Sequence, residues 1–180
     1  MLKNTPERFG LVSISVHWLS AVVIFGLFGV GYWMVDLSYY SDWYRTAPHY
    51  HQSVGLLLLL LSLFRILWKF ISPNPELIAN SETERMAAHA GHYVLYLLLL
   101  VILFSGYLIS TADGRGIDVF NWFTLPSLGE LFSNQEDLAG DIHKYVAYAL
   151  MGFVALHILA ALKHHFINKD NTLRRMLNHK

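Results

Sequence analysis

Four stretches of this chain contain no Asp, Glu, Lys or Arg at all. They cover residues 9–35, 46–64, 86–112 and 145–162, with lengths of 27, 19, 27 and 18 residues. A helix needs about 20 largely apolar residues to cross the hydrocarbon core of a bilayer. Lipid offers no water to satisfy an open strand or loop, so helices are the natural spanning element for such runs. The pattern predicts an all-α, four-helix transmembrane bundle, with helices at about 11–35, 49–71, 86–110 and 141–166. The second contains six consecutive leucines, Leu56 to Leu61. Composition argues the same way: 54% of the residues are hydrophobic and 14% charged, against about 25% charged in an ordinary soluble domain. With 180 residues, one domain over the whole chain is expected. The first apolar stretch is too long for the core of a cleavable leader, and no A-x-A site follows it.

Lys and Arg set the expected orientation. Lys3, Arg8, Arg65, Lys69, Arg85, Lys163, Lys169, Arg174, Arg175 and Lys180 fall on one side, and Arg45, Arg115 and Lys144 on the other. Ten against three predicts that both termini are cytoplasmic. The connection at about 111–140 then faces outward. It is rich in turn residues, and one short interfacial helix is expected around Phe120–Phe123. A net charge of zero gives no basic footprint for nucleic acid, and none is expected as a partner.

Ten histidines and no cysteine stand in this apolar background. The missing cysteines exclude disulfides, iron–sulfur clusters and thioether-linked haem. An ionisable residue inside a bilayer is costly, and by default marks function. His143 and His157 lie fourteen residues apart, about 40° short of four full turns, so they share a helix face with about 21 Å between them along the axis. The first helix enters from the cytoplasm, which puts His17 at the depth of His157. The second enters from outside, which puts His51 at the depth of His143. Two cross-helix imidazole pairs result, and paired imidazoles on opposite sides of a flat macrocycle are how a b-type haem is held. Gly31 lies fourteen residues after His17, and Gly106 fourteen after His92. With Gly55, one turn beyond His51, these small residues leave room between helices.

Other candidates surround these pairs. His49 and His51 differ by 200° in direction, so one of them faces inward, and Gly55 favours His51. Arg65 lies fourteen residues after His51, where it either holds a haem propionate through a charge-assisted bond or snorkels to the interface. His89 and His92 share a face at the cytoplasmic start of the third helix, suited to propionates, to a quinone or to iron. His164 is one heptad beyond His157, where it either exchanges protons with a quinone or caps the helix end. His165 points about 100° away from it, and His179 reads as tail. No H-E-x-x-H occurs, and no carboxylate lies within the four charge-free stretches. Zinc chemistry and ion-coupled transport are therefore disfavoured.

Several ordered segments resemble a known family. They are His17–Trp18 after a short basic tail, YHQSVG at 50–55, HAGHYVLYLLL from His89, WFTLP at 122–126, and the fourth-helix histidines followed by KHHFINKDNTLRRM at 163–176. Together they resemble the bacterial cytochrome b561 family of the inner membrane, over nearly the whole chain. NTPERFG and ISTADGRG are similar to a subgroup associated with a periplasmic, lipocalin-like, isoprenoid-binding protein. The resemblance implies a four-helix protein with two b haems, held by His17 with His157 and by His51 with His143. It implies electron exchange with ubiquinone, in a region that resembles His164 and the KDN following it. One member of the family oxidises superoxide on the outer side. Here the outer segments carry eight carboxylates against three Lys and Arg, a field that repels an anion and favours a different one-electron partner. The alternative reading is a cytochrome b anchor subunit of a larger membrane oxidoreductase.

Overall fold

The computed structural model describes residues 1–177; His179 and Lys180 lie outside the described residues. Among the described residues the chain is all-α apart from one small hairpin. Its elements are α1 (Leu11–Met34), α2 (Thr46–Ile71), α3 (Glu82–Thr111), β1 (Ile117–Val119), β2 (Phe123–Leu125), α4 (Gln135–Lys163), a π turn (His164–Asn168) and α5 (Arg174–Leu177). All four long helices are long and apolar enough to cross a membrane, the fourth counted through Asn168.

Counting charge-free stretches finds these helices but clips their polar first turns. α3 starts at Glu82 rather than 86 because Ser81 caps it: the Ser81 hydroxyl accepts the Glu84 amide at 3.1 Å. An N-terminal turn favours both that hydroxyl and the acidic Glu82 and Glu84. α4 begins at Gln135 rather than 141. There the buried Gln135 amide bridges two backbones, accepting from Leu131 N–H at 2.7 Å and donating to Leu108 C=O at 3.0 Å.

The short helix expected around Phe120–Phe123 is not formed. Ile117–Val119 and Phe123–Leu125 pair as antiparallel strands. Phe120 and Asn121 take left-handed conformations, with φ of 47° and 60°, which no right-handed helix accommodates. The strand pattern supplies the drive: Ile117 and Val119 are buried while Asp118 between them is exposed. Ser53 of α2 pins the hairpin, accepting the Phe120 amide at 3.1 Å and donating to Asp118 C=O at 3.2 Å.

The chain divides into two compact units. One comprises Met1–Leu19, Leu63–Leu99 and Tyr148–Lys180; the other comprises Ser20–Ser62 and Leu100–Ala147. Each therefore takes a part of every long helix. Small residues such as Ser20, Ser53, Ser62 and Ser105 are among the most buried, as expected where helices approach without a hydrophobic drive between them. Large apolar side chains instead face outward: Val22, Leu60, Leu67, Leu156 and Leu159 are all exposed. In water such a surface would aggregate, whereas lipid is its natural solvent.

Candidate haem-ligand pairs

In the unit that contains the hairpin, α2 and α4 bring His51 and His143 together, with their ring planes inclined at 70°. Their ring centroids are 6.2 Å apart. His49, two residues earlier, packs instead beside Tyr50 at 5.6 Å. The glycine at 31 has a specific reason. A Cβ there would lie 3.1 Å from the His51 ring, and a Cβ at Gly106 would lie 3.1 Å from the His143 ring. Both helices thus lay bare backbone against an imidazole. Gly55 has nothing within 4 Å of its added Cβ.

His143 Nδ1 lies 3.0 Å from the Ile102 carbonyl and 3.1 Å from Ser105 Oγ. A carbonyl only accepts, so Nδ1 carries the proton and the lone pair rests on Nε2. That is the tautomer a metal-ligating histidine needs, held by a neighbouring carbonyl. Ser105 adds to this arrangement, and only its place before Gly106 hinted at it in the sequence. His51 Nδ1 is buried and makes no hydrogen bond.

The other unit gathers three histidines. His17 and His157 have ring centroids 6.2 Å apart, and His92 lies 5.5 Å from His157. Two metal–nitrogen bonds of about 2 Å, with two imidazole radii of about 1 Å, set opposed ring centres roughly 6 Å apart. Both expected pairs have that separation, to the same tenth of an ångström. His92 stands closer to His157, at an inclination of 68° that matches the 70° between His51 and His143, so distance alone separates it from the expected pairs. His89, one turn earlier, is exposed on α3.

Arg65 joins this group. Its guanidinium lies 3.2 Å from His17 Nδ1 and 5.2 Å from the centre of the Tyr96 ring. A guanidinium only donates. This contact therefore puts the His17 lone pair on Nδ1, the reverse of the His143 arrangement. Ligation through Nε2 requires Arg65 to release Nδ1 and take another acceptor, and a carboxylate suits its planar fork best. Trp18 completes the surroundings. Its ring meets His17 edge-on at 5.4 Å, and its indole N–H donates to the Met176 carbonyl at 2.8 Å.

At the end of α4, His164 is held among polar groups rather than exposed as a helix cap. Its Nδ1 meets Asp170 Oδ2 at 2.5 Å, and its Nε2 lies 3.5 Å from Glu84 Oε1. Glu84 also accepts Lys163 Nζ at 2.6 Å. The chain turns back for this purpose: Lys169 is left-handed, with φ of 56°, and its amide bonds to the His164 carbonyl. Glu84 was missed by sequence reasoning, since nothing in the order of residues ties position 84 to position 164. Asp170 was signalled only as part of KDN.

Burial pushes the Asp170 carboxyl up, but hydrogen bonds from Thr172 and His164 outweigh that and hold it down to about 2. A carboxyl lowered on folding stabilises the fold above its unfolded value, about 4, and that contribution fades as pH falls toward its folded value. Amide-exchange protection of residues 164–172 should therefore hold from pH 7 to about 5, then fall between about pH 4 and 2. Unchanged protection at pH 2 would show that the Asp170 contact does not hold this segment.

The sequence profile described as "Prokaryotic cytochrome b561" matches residues 8–179. "Cytochrome b561 homolog 2" of Escherichia coli (strain K12) is 51% identical over 175 residues, covering 97% of this chain and 93% of that protein. "Probable superoxide oxidase CybB" of Yersinia pestis is 27% identical, over 95% of this chain and 96% of its own length. "Cytochrome b561 homolog 1" of Escherichia coli (strain K12) is 26% identical, over 95% and 97% respectively.

Proposed function

From the premise that this chain belongs to the prokaryotic cytochrome b561 family, and is therefore a multi-pass bacterial membrane cytochrome b, we propose that it binds two b haems and moves electrons across the inner membrane. His17 and His157 hold one haem, and His51 and His143 the other. The observation that carries this reading is the pair of imidazole facings, each with centroids 6.2 Å apart. The haem supplies one-electron redox chemistry when bound; the protein supplies ligation, spacing and field. Ile102 and Ser105 hold the proton on His143 Nδ1 and leave Nε2 for iron. Gly31 and Gly106 let helix backbone lie against the ligand rings. Arg65 gives up His17 and takes a propionate.

Ubiquinone is the membrane-borne partner in this reading, and its site includes His164 and lies on the cytoplasmic side. A quinone gains or loses protons with its electrons, so a protonatable side chain must stand beside it. His164 fits because Asp170 fixes its Nδ1 edge and leaves Nε2 toward Glu84. His164→Ala should slow haem reduction by ubiquinol at least roughly ten-fold, the low end of what one acid–base group contributes, with haem content unchanged. Equal loss of haem in that variant would make His164 a ligand instead.

The outer partner is a one-electron donor or acceptor in the periplasm. A relative described as a probable superoxide oxidase makes superoxide one candidate. Against it, Arg115, one of three outer cations, is already clamped by Asp113 at 2.5 Å. A protein partner, redox-active or lipocalin-like, suits the acidic outer segments better.

One optical experiment tests the whole reading. The purified protein is oxidised without oxygen, and its haem absorbance is followed after addition of ubiquinol or a pulse of superoxide. Reduction by ubiquinol is the expected result. Reduction by superoxide, relieved by added quinone, would identify superoxide as the outer donor. A colourless protein would sink the proposal altogether.

A further inference from the structure

The unit that contains His17 also holds a cavity of about 500 Å³ with no histidine in its lining, although Asn171 of the KDN segment contributes to it. It is lined by the N-terminal segment at Pro6–Arg8, the α2–α3 connection at Glu76–Ile78, and the C-terminal residues Asn171, Arg174 and Arg175. Each of these segments lies just beyond the end of a candidate span. With four crossings, all of them come to one membrane surface, the level of lipid headgroups.

The cavity is built rather than incidental. Arg175 ties its walls together, donating to the carbonyls of Glu76 at 2.8 Å and Pro6 at 3.2 Å. Glu76 N–H donates to the same Pro6 carbonyl at 2.7 Å. Both terminal nitrogens of Arg175 are thus engaged with backbone, while its Nε is buried with no hydrogen-bond partner. A buried guanidinium N–H without an acceptor is costly and calls for one. Among the described residues, Arg8 and Arg174 form no ion pair, and neither do Glu7 and Glu76. The lining therefore offers the guanidiniums of Arg8 and Arg174, the unpartnered Nε of Arg175, and two carboxylates that no cation already holds.

We propose that this cavity binds a phospholipid headgroup in which a phosphate stands beside a primary ammonium. Arginine matches phosphate through its fork of donors. Glu7 and Glu76 then accept from the ammonium, which a purely anionic headgroup would leave unmet. Basic pockets at the cytoplasmic face of helical membrane proteins bind lipid headgroups by the same electrostatics; the two carboxylates here add a requirement for a neighbouring positive charge that can donate hydrogen bonds.

Delipidated protein in detergent is titrated with phosphatidylethanolamine, phosphatidylcholine or phosphatidylglycerol, and bound lipid is counted by native mass spectrometry. Phosphatidylethanolamine should bind tightest, since the methylated ammonium of phosphatidylcholine cannot donate and phosphatidylglycerol has none. The double variant Arg8→Ala/Arg174→Ala removes two exposed side chains and should weaken this binding roughly thirty-fold. Glu7→Gln/Glu76→Gln should abolish the preference for phosphatidylethanolamine while retaining phosphate binding. Soluble phosphoethanolamine separates the two sources of this chemistry. Failure to displace the lipid at millimolar concentration assigns the site to the bilayer, and displacement assigns it to a free phosphoamine. Equal binding of all three lipids, or no change in either double variant, overturns the proposal. Haem content serves as the folding control.

Discussion

Alanine in place of His143 or His51 halves the haem content of the purified protein and leaves the other haem's absorbance band intact; His17→Ala or His157→Ala does the converse. The expectation follows from the two facings, which lie in separate compact units of the chain and share no residue. Removing one imidazole would leave a single protein ligand to hold the proposed haem in place of two, and metal sites lose most of their affinity with a lost ligand. The measurement is the haem-to-protein ratio with the reduced-minus-oxidised spectrum. A single variant that kept both haems would break the pairing. His92→Ala provides the control. Its ring stands 5.5 Å from His157, and haem loss there equal to that of His17→Ala would make His92 the iron ligand in its place.

The second large effect is electrostatic. Arg65→Gln should retain haem and lower the midpoint potential of the haem proposed to lie between His17 and His157. Arg65 stands beside the His17 ring, and in the proposed haem-loaded state, paired with a propionate, it keeps its positive charge near this haem. A positive charge favours the reduced, less positive iron. At an effective dielectric constant of about 20, a unit charge about 8 Å away is worth about 2 kcal/mol, or roughly 90 mV for one electron. The other haem should move far less. Redox titration of the two bands in each protein measures both shifts. Equal shifts at both haems, or none, would refute this role for Arg65. Arg65→Lys separates charge from geometry: it keeps the charge but loses the planar fork, so it should restore most of the potential.

The number of helices and their apolar extent were legible because each lipid-crossing run excludes charge for its whole length, a signal that depends on composition alone. The facing of His143 and His157 was legible too, since helical periodicity alone places both on one side of α4. The early starts of α3 and α4 were not. They rest on Ser81 with Glu84, and on Gln135 reaching across to Leu108, and counting charges discards those polar first turns.

What the order of residues determined, then, is whatever depends on near neighbours: helix, span and the shared face of two histidines on one helix. Tertiary structure alone decided the rest. It chose a hairpin over a helix at Phe120, because Ser53 from another helix holds the turn. It turned Arg65 onto His17, set Ile102 and Ser105 against His143, and closed Glu84 and Asp170 around His164. Each of these is a hydrogen bond or ion pair, and such contacts are directional and reach about 3 Å. Their partners are therefore set by how helices rotate and pack against one another. Periodicity within one helix carries no record of that rotation.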